Sequence, residues 1–246
     1  MNFHERKIMT KYMFVFVFAL FANLSHSEPI PHDKYYPPSE KPAHAIILLH
    51  SSGGYKSVAK KVKVYTDAGY VVYTPDFFQR HGITTATRYQ SWTTYRTNIE
   101  SELNEIIQLM KADVRIEGSN IFAVGFSNGG YWAAFLAATG VVNAGISHYG
   151  VWDFPGNSDG YPVKYFRGSS NPVLALIGKD DKTQRYERVM PQVQMAEKLS
   201  PRVVKKIYNA SHAWDCAPCN SEYVYNEVIT MDALKSTIDF MKENSK

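Results

Sequence analysis

Gly125-Phe126-Ser127-Asn128-Gly129-Gly130 constrains this chain more than any other stretch. The apolar run Ile121-Phe122-Ala123-Val124 leads into it, and the helix-prone stretch Tyr131 to Ala138 comes directly after. Strand, Gly-x-Ser-x-Gly, helix is the context in which the motif becomes a sharp turn that lifts a serine hydroxyl to the top of a sheet. A Cβ at Gly125 or Gly129 would crowd such a turn. The helix N-terminus behind Ser127 would favour negative charge developing beside it. Gly and Ser also meet in ordinary turns, so the motif gains meaning only from partner residues further along the chain.

The rest of the sequence reads as strands alternating with helices. Ala45-Ile46-Ile47-Leu48-Leu49, Val71-Val72-Tyr73, Ala144 to His148, Val173 to Ile177 and Val203 to Tyr208 are short runs bounded by turn residues. The continuously apolar ones suit strands buried on both faces. Between them, Val58, Val62 and Tyr65 recur at helical spacing, as do Ile99, Leu103, Ile106, Ile107 and Met110. Gln192 to Leu199 reads as a further helix. A C-terminal helix is expected to present Val228, Met231, Leu234, Ile238 and Met241. This alternation predicts an α/β fold: a mostly parallel sheet with helices on both faces and function at the carboxyl ends of the strands.

The first 27 residues read as a secretory signal peptide rather than as part of the fold. Arg6, Lys7 and Lys11 precede the apolar run Tyr12 to Leu24, and Ser25-His26-Ser27 supplies small residues for cleavage after Ser27. The run is short of the roughly 20 residues of a membrane span, so no stable span is expected after cleavage. The expected location is secreted or periplasmic. Residues 28–42 are rich in proline and read as an extended N-terminal arm, leaving 43–246 as one catalytic domain. The net charge of +4 falls further once the basic leader is removed, and no Lys/Arg stripe is present, so nucleic acid is not an expected partner. The two cysteines stand as Cys216-Ala217-Pro218-Cys219, which an oxidising compartment could close into a short-loop disulfide. A redox motif fits less well, because the pair does not open a helix after a first strand. A metal site drawn from His212, Asp215, Cys216 and Cys219 matches no common zinc spacing, and no metal or organic cofactor is expected.

Partners for Ser127 do occur downstream. Gly178-Lys179-Asp180-Asp181 comes after the Val173 to Ile177 strand, where a carboxylate suits the role of orienting a histidine. The Gly-x-x-Asp spacing favours Asp181, with Asp180 the alternative. His212 lies in the loop after Val203 to Tyr208. His50 precedes the serine, His81 sits in a polar loop, and His148 ends a strand. His212 alone completes the chain order Ser, Asp, His and is the expected general base. The Gly-rich stretch His50-Ser51-Ser52-Gly53-Gly54 comes after the first core strand. Its Ser52 N–H and that of Asn128 are the candidate oxyanion donors. Tyr131, Trp152 and Trp214 neighbour these residues in sequence and are candidates for a substrate pocket or for core.

These motifs together resemble the α/β-hydrolase superfamily, and within it the dienelactone hydrolase family. The matching residues are Leu48 to Gly54, Gly125 to Gly130, Ser147-His148-Tyr149-Gly150, Ile177 to Asp181 and Tyr208 to Trp214. The resemblance implies an α/β-hydrolase fold without a large lid domain, acting on small-molecule esters or lactones with water as co-substrate. Two departures stand out. Dienelactone hydrolases proper carry a cysteine nucleophile where this chain has Ser127. The loop after the first strand reads His-Ser-Ser where relatives often have His-Gly. Arg80, Arg88 and Arg96 lie in a region that could meet a substrate carboxylate, though solvated surface is the simpler reading of each. The resemblance thus implies a serine esterase acting through an acyl-enzyme. A peptidase or amidase using the same residues, and a non-catalytic binding protein, are the alternatives.

Overall fold

The computed structural model describes residues 28–154, 160–217 and 222–245. The expected signal peptide, 1–27, and Cys219 lie outside them. Seven strands form one sheet in the order β1-β3-β2-β4-β5-β6-β7. They are β1 (His32–Tyr35), β2 (Ala43–Leu49), β3 (Val71–Pro75), β4 (Ile116–Phe126), β5 (Ala144–His148), β6 (Val173–Gly178) and β7 (Val203–Tyr208). Strand β1, from the Pro-rich arm, runs antiparallel along β3. All other pairs are parallel. No large lid domain interrupts the described residues, and the architecture is the α/β-hydrolase fold.

The helices are α1 (Ala59–Asp67), α2 (Arg96–Ala112), α3 (Asn128–Ala138), α4 (Tyr186–Leu199) and α5 (Glu227–Glu243). Strand residues alternate between two cores because side chains switch faces at every residue. Ala45, Ile47, Leu49, Ile121 and Ala123 pack with α2, α3 and α4. Ile46, Leu48, Phe122, Val124 and Phe126 pack with α1 and α5. With both faces covered, the central strands must be apolar throughout, which is why they read as unbroken runs. Helix α3 is buried along its whole length, as a helix apolar on every side must be.

The chain moves from β2 outward to β3, then returns across β2 to β4 and continues the other way. Right-handed crossovers in opposite directions put α1 on one face and α2, α3 and α4 on the other. The reversal leaves a switch point between β2 and β4, where a crevice opens at the carboxyl ends of the strands.

Two helices differ from expectation. Helix α4 begins at Tyr186 and runs through Pro191, upstream of the predicted Gln192. A proline near the start of a helix forfeits one backbone hydrogen bond without ending it. Helix α5 packs Leu234, Ile238 and Met241 on the core as expected, but its first turns do not follow the predicted face. Ala233, Thr237 and Met241 are buried, while Val228 and Met231 are exposed. The buried stripe includes a threonine because Thr237 Oγ1 meets His148 Nε2 at 2.9 Å.

Candidate active site

Ser127 stands between β4 and α3 with φ 52° and ψ −108°. Positive φ is strained for a residue with a side chain, and the turn holds it there by contact. A Cβ on Gly125 would come within 1.9 Å of the Gly129 carbonyl oxygen. One on Gly129 would come within 2.2 Å of the Leu49 carbonyl oxygen. The first figure shows why the turn can be so tight. The second shows how closely the loop after β2 presses on the start of α3. The Ser127 N–H donates to the His148 carbonyl at 2.9 Å.

His212 lies past the end of β7. Its Nε2 is 3.0 Å from Ser127 Oγ, and its Nδ1 is 2.7 Å from Asp181 Oδ2. A carboxylate only accepts, so Nδ1 carries the proton and Nε2 is left to accept from the Ser127 hydroxyl. Asp181 is fixed in turn: its Oδ1 accepts the N–H groups of Thr183 and Gln184, each at 2.8 Å. Ser127, Asp181 and His212 are all buried. Asp180, the alternative carboxylate, is exposed, and its N–H is used in a bond to the Ala210 carbonyl. Of the two neighbouring aspartates, only Asp181 touches His212.

The loop after β2 is folded around its first peptide. The Ser51 carbonyl accepts from His50 Nδ1 at 2.7 Å and from Gly54 N–H at 3.0 Å. The C=O and N–H of a trans peptide point in opposite directions. Engaging the Ser51 carbonyl from behind therefore aims the Ser52 N–H the other way. His50 is fully buried and stacked on Phe77 with ring centroids 3.9 Å apart. Its Nε2 lies 3.5 Å from Asp76 Oδ1; this contact, first among the causes, holds the Asp76 carboxyl below its usual range. The N–H groups of Ser52 and Asn128 donate to no protein acceptor among the described residues. Asn128 opens α3, so its N–H is one of the free donors of a helix start.

Several residues shape the site in roles that the sequence did not assign to them. Behind His212, Asp215 receives Lys61 Nζ at 2.5 Å and the Tyr149 hydroxyl at 2.6 Å. Burial alone would raise the Asp215 pKa, but Lys61 and the Tyr149 hydroxyl outweigh it and hold the carboxyl below its usual value. The Tyr149 ring lies edge-on to His212 at 4.9 Å and to Trp214 at 4.8 Å. Burial, reinforced by Asp215, drives the Tyr149 hydroxyl pKa well upward. A cavity of about 10 Å³, room for one water-sized body, touches Asp181, Tyr149 and Gln184. Nothing in local sequence marks the Lys61–Asp215 pair, whose members are 154 positions apart.

The three aromatic pocket candidates are core. Tyr131, Trp152 and Trp214 are no more than 1% exposed. Tyr131 packs among Trp92, Trp132 and Phe135. Trp152 stacks on Phe166, and Trp214 lies against Tyr149 and Tyr208. Closeness in sequence to Ser127 or His212 did not set the direction of these rings. Besides Tyr149, the half-buried Tyr223 brings its ring to 5.3 Å from that of His212. Arg80 is paired with Glu102 and Arg96 with Glu100, while Arg88 donates to the Thr85 carbonyl. His212 and Asp215, considered as metal ligands on sequence grounds, are committed to different partners. Among the described residues no group of three or more His, Cys, Asp or Glu could hold a metal ion. Cys216 is not a free thiol, and its expected partner Cys219 lies outside the described residues. No described helix is long and apolar enough to cross a membrane.

A parallel sheet with a serine at its switch point, facing an aspartate and a histidine from later strand ends, defines an α/β-hydrolase. Residues 34–245 match the dienelactone hydrolase family, and the chain belongs to it. No curated protein matches in sequence. Solved structures are similar in fold. An assigned dienelactone hydrolase from Klebsiella pneumoniae aligns with a TM-score of 0.74 at 18% identity, over 89% of this chain and 95% of the other. A dienelactone hydrolase-like promiscuous phosphotriesterase from metagenomic libraries aligns with a TM-score of 0.70 at 17% identity, over 87% and 92%. Esterase 2 of Thermogutta terrifontis aligns with a TM-score of 0.66 at 15% identity, over 86% and 88%.

Proposed function

We propose that this protein is an exported serine hydrolase that cleaves carboxylic esters or lactones through an acyl-enzyme. The observation that carries the reading is the unbroken line from Ser127 Oγ to His212 Nε2 at 3.0 Å and from His212 Nδ1 to Asp181 Oδ2 at 2.7 Å. Membership of the dienelactone hydrolase family supports the substrate class, and the leader-like residues 1–27 support export.

In this mechanism His212 Nε2 takes the proton of Ser127 as Oγ attacks the ester carbonyl carbon. Asp181 keeps the Nδ1–H tautomer and stabilises the imidazolium. The N–H groups of Ser52 and Asn128 receive the oxyanion, aided by the start of α3. The tetrahedral intermediate collapses, the C–O bond to the alcohol breaks, and His212 gives its proton to the departing oxygen. Water then repeats the sequence on the acyl-enzyme, releasing the acid and restoring Ser127. For a lactone the alcohol and acid leave as one hydroxy acid.

A fluorophosphonate probe and a panel of short-chain p-nitrophenyl esters and lactones test the reading. The wild type is expected to be labelled at Ser127 and to turn over esters, and Ser127→Ala to do neither. An unlabelled, inactive wild type would overturn it.

A further inference from the structure

The stretch between β3 and α2 contains short helical turns at Gln79–His81 and Arg88–Ser91 and has no part in the acyl-transfer mechanism. Polar contacts of its second part, Thr85 to Ser91, nevertheless converge on the two residues that bear the oxyanion donors. Thr85 Oγ1 donates to the Ser52 carbonyl at 2.9 Å. The Asn128 side-chain amide donates to the Arg88 carbonyl at 3.1 Å and to Ser91 Oγ at 2.9 Å. Ser91 Oγ in turn donates to the Arg88 carbonyl at 2.9 Å, so both amide protons of Asn128 and the Ser91 proton are accounted for.

The two ends of this arrangement differ. Asn128 and Ser91 are fully buried. Ser52 is half-buried on a loop anchored outside itself at its two ends, by His50 against Asp76 and by the Tyr55 hydroxyl against that of Tyr35, with most of its remaining hydrogen bonds internal. Ser51 N–H goes to Ser57 Oγ, Gly53 N–H to Ser51 Oγ, and Ser57 Oγ to the Gly54 carbonyl. At Ser52 itself, Thr85 supplies the hydrogen bond that ties the loop to another part of the chain. Arg88 Nη1 donates to the Thr85 carbonyl at 2.7 Å, which links the Ser52 end of the stretch to the Asn128 end.

We infer that Thr85 to Ser91 is a brace across the oxyanion hole, with Thr85 and Ser91 as positioning residues that set the spacing of the Ser52 and Asn128 N–H groups. The inference rests on the serine hydrolase reading. Two donors converging on one oxygen are effective only when their separation is fixed before the charge develops. Here the donors come from the ends of strands β2 and β4, and the brace joins them.

The consequence is selective. The brace touches neither Ser127, His212 nor Asp181, so its loss should weaken transition-state binding and leave ground-state binding alone. Thr85→Val and Ser91→Ala are each expected to lower kcat about 5- to 10-fold, in line with one modest hydrogen bond, with KM unchanged. Affinity for a trifluoromethyl ketone analogue, whose hydrate-like adduct carries the oxyanion, should fall by the same factor as kcat/KM. Thr85→Ser keeps the hydroxyl and should restore activity. Thermal melting accompanies each assay, and Thr85, being exposed, is the position where folding is least at risk. An active wild type with a Thr85→Val variant of unchanged kcat would overturn the brace and leave the hydrolase reading standing. A rise in KM with unchanged analogue affinity would also overturn it, because that is the mark of a substrate contact. A wild type neither labelled by fluorophosphonate nor active on esters would overturn both.

Discussion

Ser127 and His212 meet at 3.0 Å, but they arrive there by different means. Ser127 is held by backbone shape: a strand, a helix, and two glycines whose missing Cβ atoms let carbonyls come within 1.9 Å and 2.2 Å of where those atoms would be. His212 is held by polar side chains. Asp181 grips its ring, and three residues further on Asp215 is bound to Lys61 from α1 and to Tyr149 from the end of β5. The loop is also tied to the start of α5, where Asn226 N–H donates to the Trp214 carbonyl at 2.9 Å. Steric confinement acts over a few bonds and does not change with pH or salt. A charged brace reaches across the fold and depends on keeping both partners ionised. The nucleophile should therefore fail all at once, and the base by degrees.

The hardest blow to the steric side is Gly125→Ala. The new methyl has a backbone oxygen inside its volume, so the turn must open. We expect loss of both activity and fold, more than about 4 kcal/mol, read as a collapsed melting transition or insoluble protein. Ser127→Ala, which removes the reacting atom and leaves the turn, should lose activity with little change in Tm. If Gly125→Ala melts like the wild type, steric confinement does not hold the serine.

On the polar side, the largest effect belongs to Asp181→Asn. An amide at this position can give a proton to Nδ1 and so favour the tautomer that cannot accept from Ser127. The expected loss is about 10⁴-fold in kcat, with Asp180→Asn close to wild type. Similar losses at both positions would mean that the exposed Asp180 moves into the site during turnover.

Breaking the Lys61–Asp215 pair tests the deeper brace. Lys61→Met leaves the Asp215 carboxylate largely buried with one partner gone, and uncompensated buried charge costs about 3 kcal/mol or more. The double variant Lys61→Met/Asp215→Asn removes the charge as well and should regain much of that stability. Chemical denaturation of the wild type, Lys61→Met, Asp215→Asn and the double variant gives the coupling directly. Additive losses would show that the two side chains act independently.

The same contrast governs what could be read from sequence. The elbow is local: strand, glycines, serine and helix fall within about twenty residues, and each reports on its neighbours. The buried strands were legible because helices cover both sheet faces. Choosing between Asp180 and Asp181 rested on spacing. The structural reason lies in the turn itself, where the Thr183 and Gln184 N–H groups capture Asp181. The aromatic candidates Tyr131, Trp152 and Trp214 were misdirected because sequence proximity carries no information about which way a side chain points. Lys61 was invisible, since its partner lies 154 positions away. The buried face of α5 was legible at Leu234, Ile238 and Met241 but missed at its start for a related reason. Hydropathy favours Val228 and Met231, while the fold uses Thr237 to meet a buried histidine.

That histidine offers the mildest test, and one that separates it from His212. His148 is fully buried, and Thr237 Oγ1 gives its own proton to the Ala233 carbonyl at 2.8 Å. Thr237 must therefore accept from His148 Nε2–H, so the neutral ring is the tautomer with Nδ1 deprotonated. Burial pushes the His148 pKa from 6.5 down to about 3, with nearby Asp215 opposing the shift and Lys61 adding to it. In the unfolded chain the same imidazole takes up a proton near pH 6.5. Between pH 6.5 and about 3 the unfolded state therefore binds more protons. The stability that His148 contributes is complete above pH 6.5 and is lost as pH falls through that window. The slope is at most about 1.4 kcal/mol per pH unit for one group. His148→Gln keeps a donor toward Thr237 and removes the titration, so its stability should depend less steeply on pH between 6 and about 4, whatever its absolute value. The contribution of Asp215, whose pKa is also depressed, is lost only below about pH 4 and should remain in the variant. Equal slopes for wild type and His148→Gln would mean that the buried imidazole takes up its proton in the folded protein much as it does in the unfolded chain.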